Sequence, residues 1–161
     1  MDKIISTIGI CMLVAQGCGS DTNDVMSEKE KLVVEKAVTQ RIKEYVESMK
    51  KLDIEKMLSF WADTENFVKA GDGTIVVGYE KFAAQQREKM SKIVAINYVN
   101  TSNPNIYVLA KDAASYTFEF EWSMTSESGN VLKSKGSWTY VFKKFGDEWK
   151  VVHSTGSHLN D

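Results

Sequence analysis

Apolar residues at spacings of three and four predict helices in the first half of the chain. Ser27 and Glu30 have the spacing of a capping box, in which each side chain satisfies a free backbone N–H at a helix start. The apolar positions that follow with helical period are Val34, Val38, Ile42, Tyr45, Met49 and Leu52. This pattern predicts an amphipathic helix with one buried stripe. A shorter helix is predicted after Asp53, and a third from Tyr79 to Ser91.

Alternation of apolar and polar residues predicts strands in the second half. A hairpin is expected first, with arms at 66–70 and 74–77 around the tight turn Gly71-Asp72-Gly73. Further strands are predicted at 93–100, 106–110, 113–125, 131–144 and 148–158. We interpret Asn103-Pro104-Asn105 as a turn between the first two of these. Three helices followed by a long, mainly antiparallel meander predict an α+β fold.

The first eighteen residues have the pattern of an export signal. The segment Ile4 to Ala15 carries no charge and is too short to span a bilayer, which needs about 20 apolar residues. Gly17-Cys18 resembles the end of a bacterial lipoprotein leader, in which the cysteine is acylated. This resemblance implies a signal peptide at 1–17, a flexible tether at 18–27 and a folded domain at 28–161. A plain secretory signal and a buried N-terminal strand are the alternatives.

Composition narrows the class of protein. The 161 residues suffice for one domain, and 20 Lys and Arg against 22 Asp and Glu give a net charge of -2, which argues against a nucleic-acid binder. Cys11 would leave with the leader, so Cys18 would be the only cysteine of the mature chain and no internal disulfide could form. We predict lipidation at Cys18 and a periplasmic or outer-membrane-associated lipoprotein of a Gram-negative bacterium, held at the membrane by that anchor alone.

The chain from Glu28 to His158 resembles the NTF2-like superfamily, and within it the SnoaL-like and DUF4440-like groups. The matching motifs are Phe60-Trp61-x-Asp63 leading into Phe67-Val68, Gly71-Asp72-Gly73, Gly78-Tyr79-Glu80, Gly136-Ser137-Trp138-Thr139 and Trp149-Lys150-Val151-Val152-His153. The resemblance implies a half-open cone, in which three N-terminal helices pack on a strongly curved sheet around a pocket. The motifs specify this fold and leave the function open.

One face of the predicted sheet is aromatic, because aromatic side chains occupy alternate positions of two neighbouring strands. In a cone fold the residues near the open end line a cavity, and such a cavity suits a small apolar or aromatic ligand. We therefore predict ligand binding without turnover and without a cofactor. Packing in the core is the alternative for most of these residues. The candidate ligand-binding residues are Trp61, Tyr79, Phe82, Tyr98, Phe118, Phe120, Trp122, Trp138, Tyr140 and His153.

Two titratable residues are candidates for acid–base chemistry. His153 follows Trp149 and Val151 with period two, so we expect it on their inward face. Asp63 follows the second helix, and the superfamily resemblance implies that a carboxylate in an apolar cone can move protons. An isomerase, lyase or hydrolase using Asp63 and His153 is the alternative to plain binding. His158 has the opposite parity to His153, so we predict no metal site.

Glu119 and Glu121 lie on the other face of the predicted sheet. We interpret them as solvated, or as part of a sheet-to-sheet homodimer contact of the kind that the resemblance implies. A structural homodimerisation or interaction module with an unused cavity is the third hypothesis, and a homodimer is compatible with all three.

Overall fold

The computed structural model describes residues 26–159, so the predicted signal peptide, most of the tether and Cys18 lie outside the described residues. Three helices precede a run of strands, apart from one early hairpin. The elements are α1 (Glu28–Lys50), α2 (Ile54–Leu58), β1 (Val68–Gly71), β2 (Thr74–Val77), α3 (Tyr79–Ser91), β3 (Ile93–Ala110), β4 (Ala113–Ser126), β5 (Val131–Phe145) and β6 (Glu148–Leu159). The predicted α+β order is confirmed.

The strands form one curved six-stranded sheet in the order β2-β1-β6-β5-β4-β3. All pairs are antiparallel except β1 with β6, which run parallel. The helices cover the concave face, and Val34, Val38 and Ile42 of α1 are buried there. The predicted capping box starts α1, since Ser27 accepts from the Glu30 N–H and Glu30 accepts from the Ser27 N–H. This arrangement is the predicted cone.

One predicted turn is wrong. The structure has a single strand, β3, where the sequence predicts two strands separated by Asn103-Pro104-Asn105. The pairing with β4 is irregular between Ser102 and Asn105, and Asn103 has a φ of 50°. Because β3 is an edge strand, the missing N–H of Pro104 costs no ladder hydrogen bond, and the strand continues beyond it.

A bulge in β6 changes which residues face the interior. Phe142 of β5 pairs with Val151, but its neighbour Val141 pairs with His153, so Val152 is an extra residue. Trp149 and Val151 are buried before the bulge, and Ser154 is buried after it. The prediction that His153 shares the inward face of Trp149 and Val151 is therefore wrong, because one inserted residue reverses a period-two pattern.

Candidate functional site

A cavity of about 580 Å³ lies between the helices and the concave face of the sheet. α1, α2 and α3 form one side, and the last four strands form most of the other, with β1 contributing Lys69. Its wall is mainly apolar, and its volume is within the range of about 300–1,000 Å³ that is usual for small-molecule sites. The fold therefore encloses a space large enough for a small organic ligand.

Seven of the ten predicted ligand-binding residues line this cavity. They are Trp61, Phe82, Phe118, Phe120, Trp122, Trp138 and Tyr140. The Trp61 ring lies edge-on to Phe82 and to Tyr140, with ring centroids 4.9 and 5.2 Å apart. Such edge-to-face pairs fix the ring orientations, so the wall presents a defined aromatic surface. Their proposed contact with a ligand stays a prediction.

Four predicted site residues lie outside the cavity wall. The Tyr98 hydroxyl donates to Glu121 at 2.9 Å on the outer side of the sheet. Tyr79 opens α3 and packs against the core from another side. Asp63 is exposed in the segment before β1. His153 faces outward with Val141 because of the bulge, so the structure does not bring Asp63 and His153 together in the cavity.

Two tyrosine hydroxyls are available inside the cavity. Tyr45 of α1 and Tyr140 of β5 both line it, and neither hydroxyl has a hydrogen-bond partner within residues 26–159. Burial raises the pKa of both phenols, and the neighbouring phenol of Tyr45 raises the pKa of Tyr140 further. Both therefore remain protonated and can donate a hydrogen bond to a ligand.

Lys69 brings a positive charge to the concave face. It pairs with Ser154 across the parallel β1–β6 ladder, and Ser154 is fully buried, so the two residues share the inward side. The Lys69 Nζ lies 5.3 Å from the centroid of the Trp138 ring, within cation–π range. Burial, and then the charge of Lys89, lower the pKa of Lys69. A cation in this position is costly unless something compensates for its lost hydration.

An aspartate and a histidine meet beside Trp138. The two-residue turn Asp72-Gly73 has positive φ at both positions, as a type I′ hairpin requires, and it ends β1 next to the last residues of β6. The two Asp72 carboxylate oxygens accept from the His158 N–H at 2.9 Å and lie 2.7 Å from its Nδ1. The hydrogen bond from the His158 N–H is the main cause that lowers the pKa of the Asp72 carboxyl. The contact with the His158 ring lowers it further. His158 also lines the cavity.

Comparison with known proteins identifies the family. The model of the SnoaL-like domain matches residues 38–161, which is more than half of the chain. The chain belongs to the SnoaL-like family. No curated protein is significantly similar to this SnoaL-like chain in sequence.

Solved structures of low sequence identity share the fold of this SnoaL-like domain. A putative scytalone dehydratase from Novosphingobium aromaticivorans DSM 12444 is 11% identical, with a TM-score of 0.74 over 83% of this chain and 89% of that one. An NTF2-like superfamily protein from Salmonella enterica serovar Typhimurium LT2 is 18% identical, with a TM-score of 0.69 over 81% and 94%. A type 2 hexachlorocyclohexane dehydrochlorinase is 13% identical, with a TM-score of 0.68 over 83% and 90%. These likenesses confirm the NTF2-like fold.

Three polar residues of the SnoaL-like cavity wall are absent from the sequence-predicted site, namely Tyr45, Lys69 and His158. Asp72, which contacts His158 beside the wall, is absent from it as well. Lys69 gives no local signal, because Val68-Lys69-Ala70 has the ordinary apolar–polar–apolar alternation of a strand. Asp72 was interpreted only as a turn residue, since nothing local shows that β6 runs alongside. His158 was placed on the wrong face because the bulge at Val152 has no sequence signature.

Residues 26–159 hold neither a cluster of metal-ligating side chains nor a membrane-spanning helix. Within them, no group of three histidine, cysteine, aspartate or glutamate side chains could hold a metal ion. No helix in this range is both long enough and apolar enough to cross a bilayer. The absence of a cofactor stays a prediction.

Proposed function

We propose that this SnoaL-like domain binds one small, mainly apolar or aromatic molecule in its cavity. The observation that carries the proposal is the aromatic wall together with the hydroxyls of Tyr45 and Tyr140, which have no hydrogen-bond partner within residues 26–159. Aromatic rings supply contact area, and a few hydrogen-bond donors fix the orientation of a bound molecule. One similar structure is a hexachlorocyclohexane dehydrochlorinase, whose name refers to a small apolar ring compound. We propose that the ligand of this chain is of the same general kind.

Native mass spectrometry of the full chain, purified gently from its own host, tests this function. We expect a reproducible extra mass of a small organic molecule. Tyr140→Phe should weaken the affinity about fivefold and so lower the occupancy, because a lost neutral hydrogen bond costs roughly 1 kcal/mol. Tyr79→Phe is the matched control, since Tyr79 lies outside the cavity wall. A mass without ligand, together with no binding of the neutral apolar probe N-phenyl-1-naphthylamine, would contradict the proposal.

A second candidate function is proton transfer to or from the bound molecule, carried by the pair His158 and Asp72. A carboxylate that holds Nδ1 of a histidine fixes its tautomer and leaves Nε2 to act as a base. This pair takes the place of the sequence-predicted pair Asp63 and His153. A base that removes a carbon-bound proton and returns it changes no atom count, so deuterium exchange reports it directly.

The proton-transfer candidate is tested with the molecule recovered from the native protein, incubated with the full chain in heavy water. We expect deuterium at one carbon of that molecule, and exchange slowed about 100-fold or more in His158→Gln. His153→Gln is the control and should exchange at the wild-type rate, because His153 faces away from the cavity. Equal exchange rates in wild type and His158→Gln would reject this candidate.

Export and lipid anchoring are also part of the proposal. They are supported by the apolar run Ile4 to Ala15 and by Gly17-Cys18, and they give a periplasmic or outer-membrane-associated location.

We further propose that the domain forms a homodimer through its outer sheet face. There Glu119 and Glu121 accept hydrogen bonds from Asn103 and Tyr98. Sedimentation equilibrium of the full chain in detergent should give twice the monomer mass, and a monomer at all concentrations would exclude the dimer.

A further inference from the structure

The charged side chains of the cavity wall have one sign. Lys69, Lys89 and Lys92 line it, and among the residues described no aspartate or glutamate does. Lys89 and Lys92 are exposed at the edge of this wall, whereas Lys69 is half-buried, so burial costs hydration mainly at Lys69. This imbalance suggests that a negative charge enters the cavity with the ligand.

Two of these lysines lack a compensating carboxylate. Lys92 forms an ion pair with Glu88, with Nζ and Oε1 3.0 Å apart. Within residues 26–159, by contrast, no carboxylate lies within ion-pair distance of Lys69 or Lys89. Asp72, the acid whose charge favours protonated Lys69, is already engaged by His158.

Lys69 is the residue best placed to receive an anion. Its side chain is on the inward side of β1, beside buried Ser154 of β6, and its ammonium lies against the face of Trp138. It is half-buried, so the charge meets the aromatic wall at the cavity and remains within reach of solvent. Burial and the neighbouring charge of Lys89 lower the pKa of Lys69, and the charge of a bound anion would oppose this lowering.

We infer that the cavity binds an anionic amphiphile: a small apolar or aromatic body that carries one carboxylate or sulfonate, with the acid group held by Lys69 and Lys89. This inference rests on the proposed function, because it names the class of ligand for the same cavity. The aromatic wall contacts the apolar body, and the phenols of Tyr45 and Tyr140 donate to any polar group at its inner end. The charge-assisted bonds to the acid group distinguish this ligand from a neutral analogue of equal shape.

Two fluorescent probes that differ only by a sulfonate test the inference on the full chain. N-phenyl-1-naphthylamine is the neutral apolar body, and 1-anilinonaphthalene-8-sulfonate is the same body with the acid group. We expect the sulfonate to bind roughly tenfold more tightly, as charge-assisted hydrogen bonds warrant. Lys69→Met should remove this advantage, so that the variant binds the two probes with equal affinity.

Matched variants separate recognition at the cavity from a general charge effect. Lys81→Met removes an exposed positive charge from α3, the helix that carries Lys89, and Lys81 does not line the cavity. It should leave both affinities unchanged. Lys89→Met should weaken the sulfonate by a smaller factor than Lys69→Met. This exposed position tests the inference independently if Lys69→Met proves unstable in urea unfolding.

Each outcome has one meaning. No binding of either probe would overturn the proposed function. Binding of both probes with equal affinity would leave that function standing and overturn the anionic ligand class. A preference for the sulfonate that survives both Lys69→Met and Lys89→Met would also overturn the inference, because the charge would then be recognised elsewhere.

Discussion

Trp138 lies over two glycines, and this close approach holds one wall of the cavity in place. A Cβ atom at Gly71 would lie 2.7 Å from the Trp138 ring, and one at Gly156 would lie 2.5 Å from it. The indole N–H donates to the buried Ser154 hydroxyl, which satisfies the only polar atom of the ring. The absence of two side chains therefore lets Trp138 lie flat against β1 and β6, beneath Lys69 and beside His158.

Gly156→Ala should destabilise the protein by about 1–3 kcal/mol. The new methyl group would also meet the Ser137 carbonyl oxygen at 2.4 Å, so the Trp138 ring or the β5–β6 ladder must shift. Urea unfolding followed by tryptophan fluorescence measures the loss. Ser157→Ala, an exposed neighbour on the same strand, is the control and should change the free energy of unfolding by less than about 0.5 kcal/mol. Equal losses in the two variants would refute this account.

At the residue scale, the sequence predicts which residue types form the cavity better than it predicts which face of the sheet each side chain occupies. Trp122, Trp138 and Tyr140 were predicted to line a cavity, and they do line it. His153 and His158 were assigned to the wrong faces, because the period of two was counted through Val152 without allowing for a bulge. Bulges depend on how two strands pair, and that pairing is not visible in either strand alone.

The elements themselves follow closely from local patterns. α3 and β2 have the predicted bounds, and the capping box marks the start of α1. The error at Pro104 arises because a proline between two asparagines is typical of a turn, whereas the outcome depended on β3 being an edge strand. The position of a strand in its sheet is a tertiary property, so local composition could not decide this case.

The capping box predicts a specific dependence of stability on acid. Hydrogen bonds from the Ser27 backbone, from Lys111 and from the Ser27 hydroxyl lower the pKa of Glu30 from 4.5 to about 2. Because the folded-state pKa is depressed, the carboxylate contributes its full stability above about pH 4.5 and loses it as the pH falls towards 2. Glu30→Gln should be less stable than wild type at pH 6, and the difference should shrink between pH 4.5 and 2.

Unfolding by urea across this pH range, followed by circular dichroism, measures the effect. Glu127→Gln is the control, since no side-chain hydrogen bond involves this exposed glutamate in the described structure. The difference in free energy of unfolding between Glu127→Gln and wild type should not shrink between pH 4.5 and 2. A difference for Glu30→Gln that stays constant from pH 6 to 2 would mean that the charge of Glu30 contributes nothing through the cap.

On the scale of the whole molecule, the fold could be predicted and the chemistry of the cavity could not. Helix, hairpin and strand patterns agree with one another, and together they specify the cone. The polar residues of the cavity come from distant parts of the chain: Tyr45 from α1, Lys69 from β1 and His158 from β6. Parallel pairing of β1 with β6 brings Asp72 into contact with His158, 86 positions away in sequence. No local motif predicts this contact.

Cys18→Ala should release the protein from the membrane. In the proposed lipoprotein, acyl chains on Cys18 insert into the bilayer, and each buried methylene contributes about 0.8 kcal/mol, so two or more chains anchor the domain stably. Wild-type protein expressed in a Gram-negative host should therefore sediment with membranes and enter the detergent phase of Triton X-114, and the variant should do neither. The described residues contain no helix that could replace the anchor by crossing the bilayer.

Cys11→Ala is the matched control for this whole-molecule prediction, because Cys11 lies in the apolar run that would leave with the leader. It should fractionate like wild type, and the mass of its mature chain should equal that of wild type. The pair therefore separates acylation of one cysteine from the general effect of removing a thiol. Recovery of wild type in the cytosol with residues 1–17 attached would reject both export and the anchor, yet leave the cavity and its proposed ligand untouched.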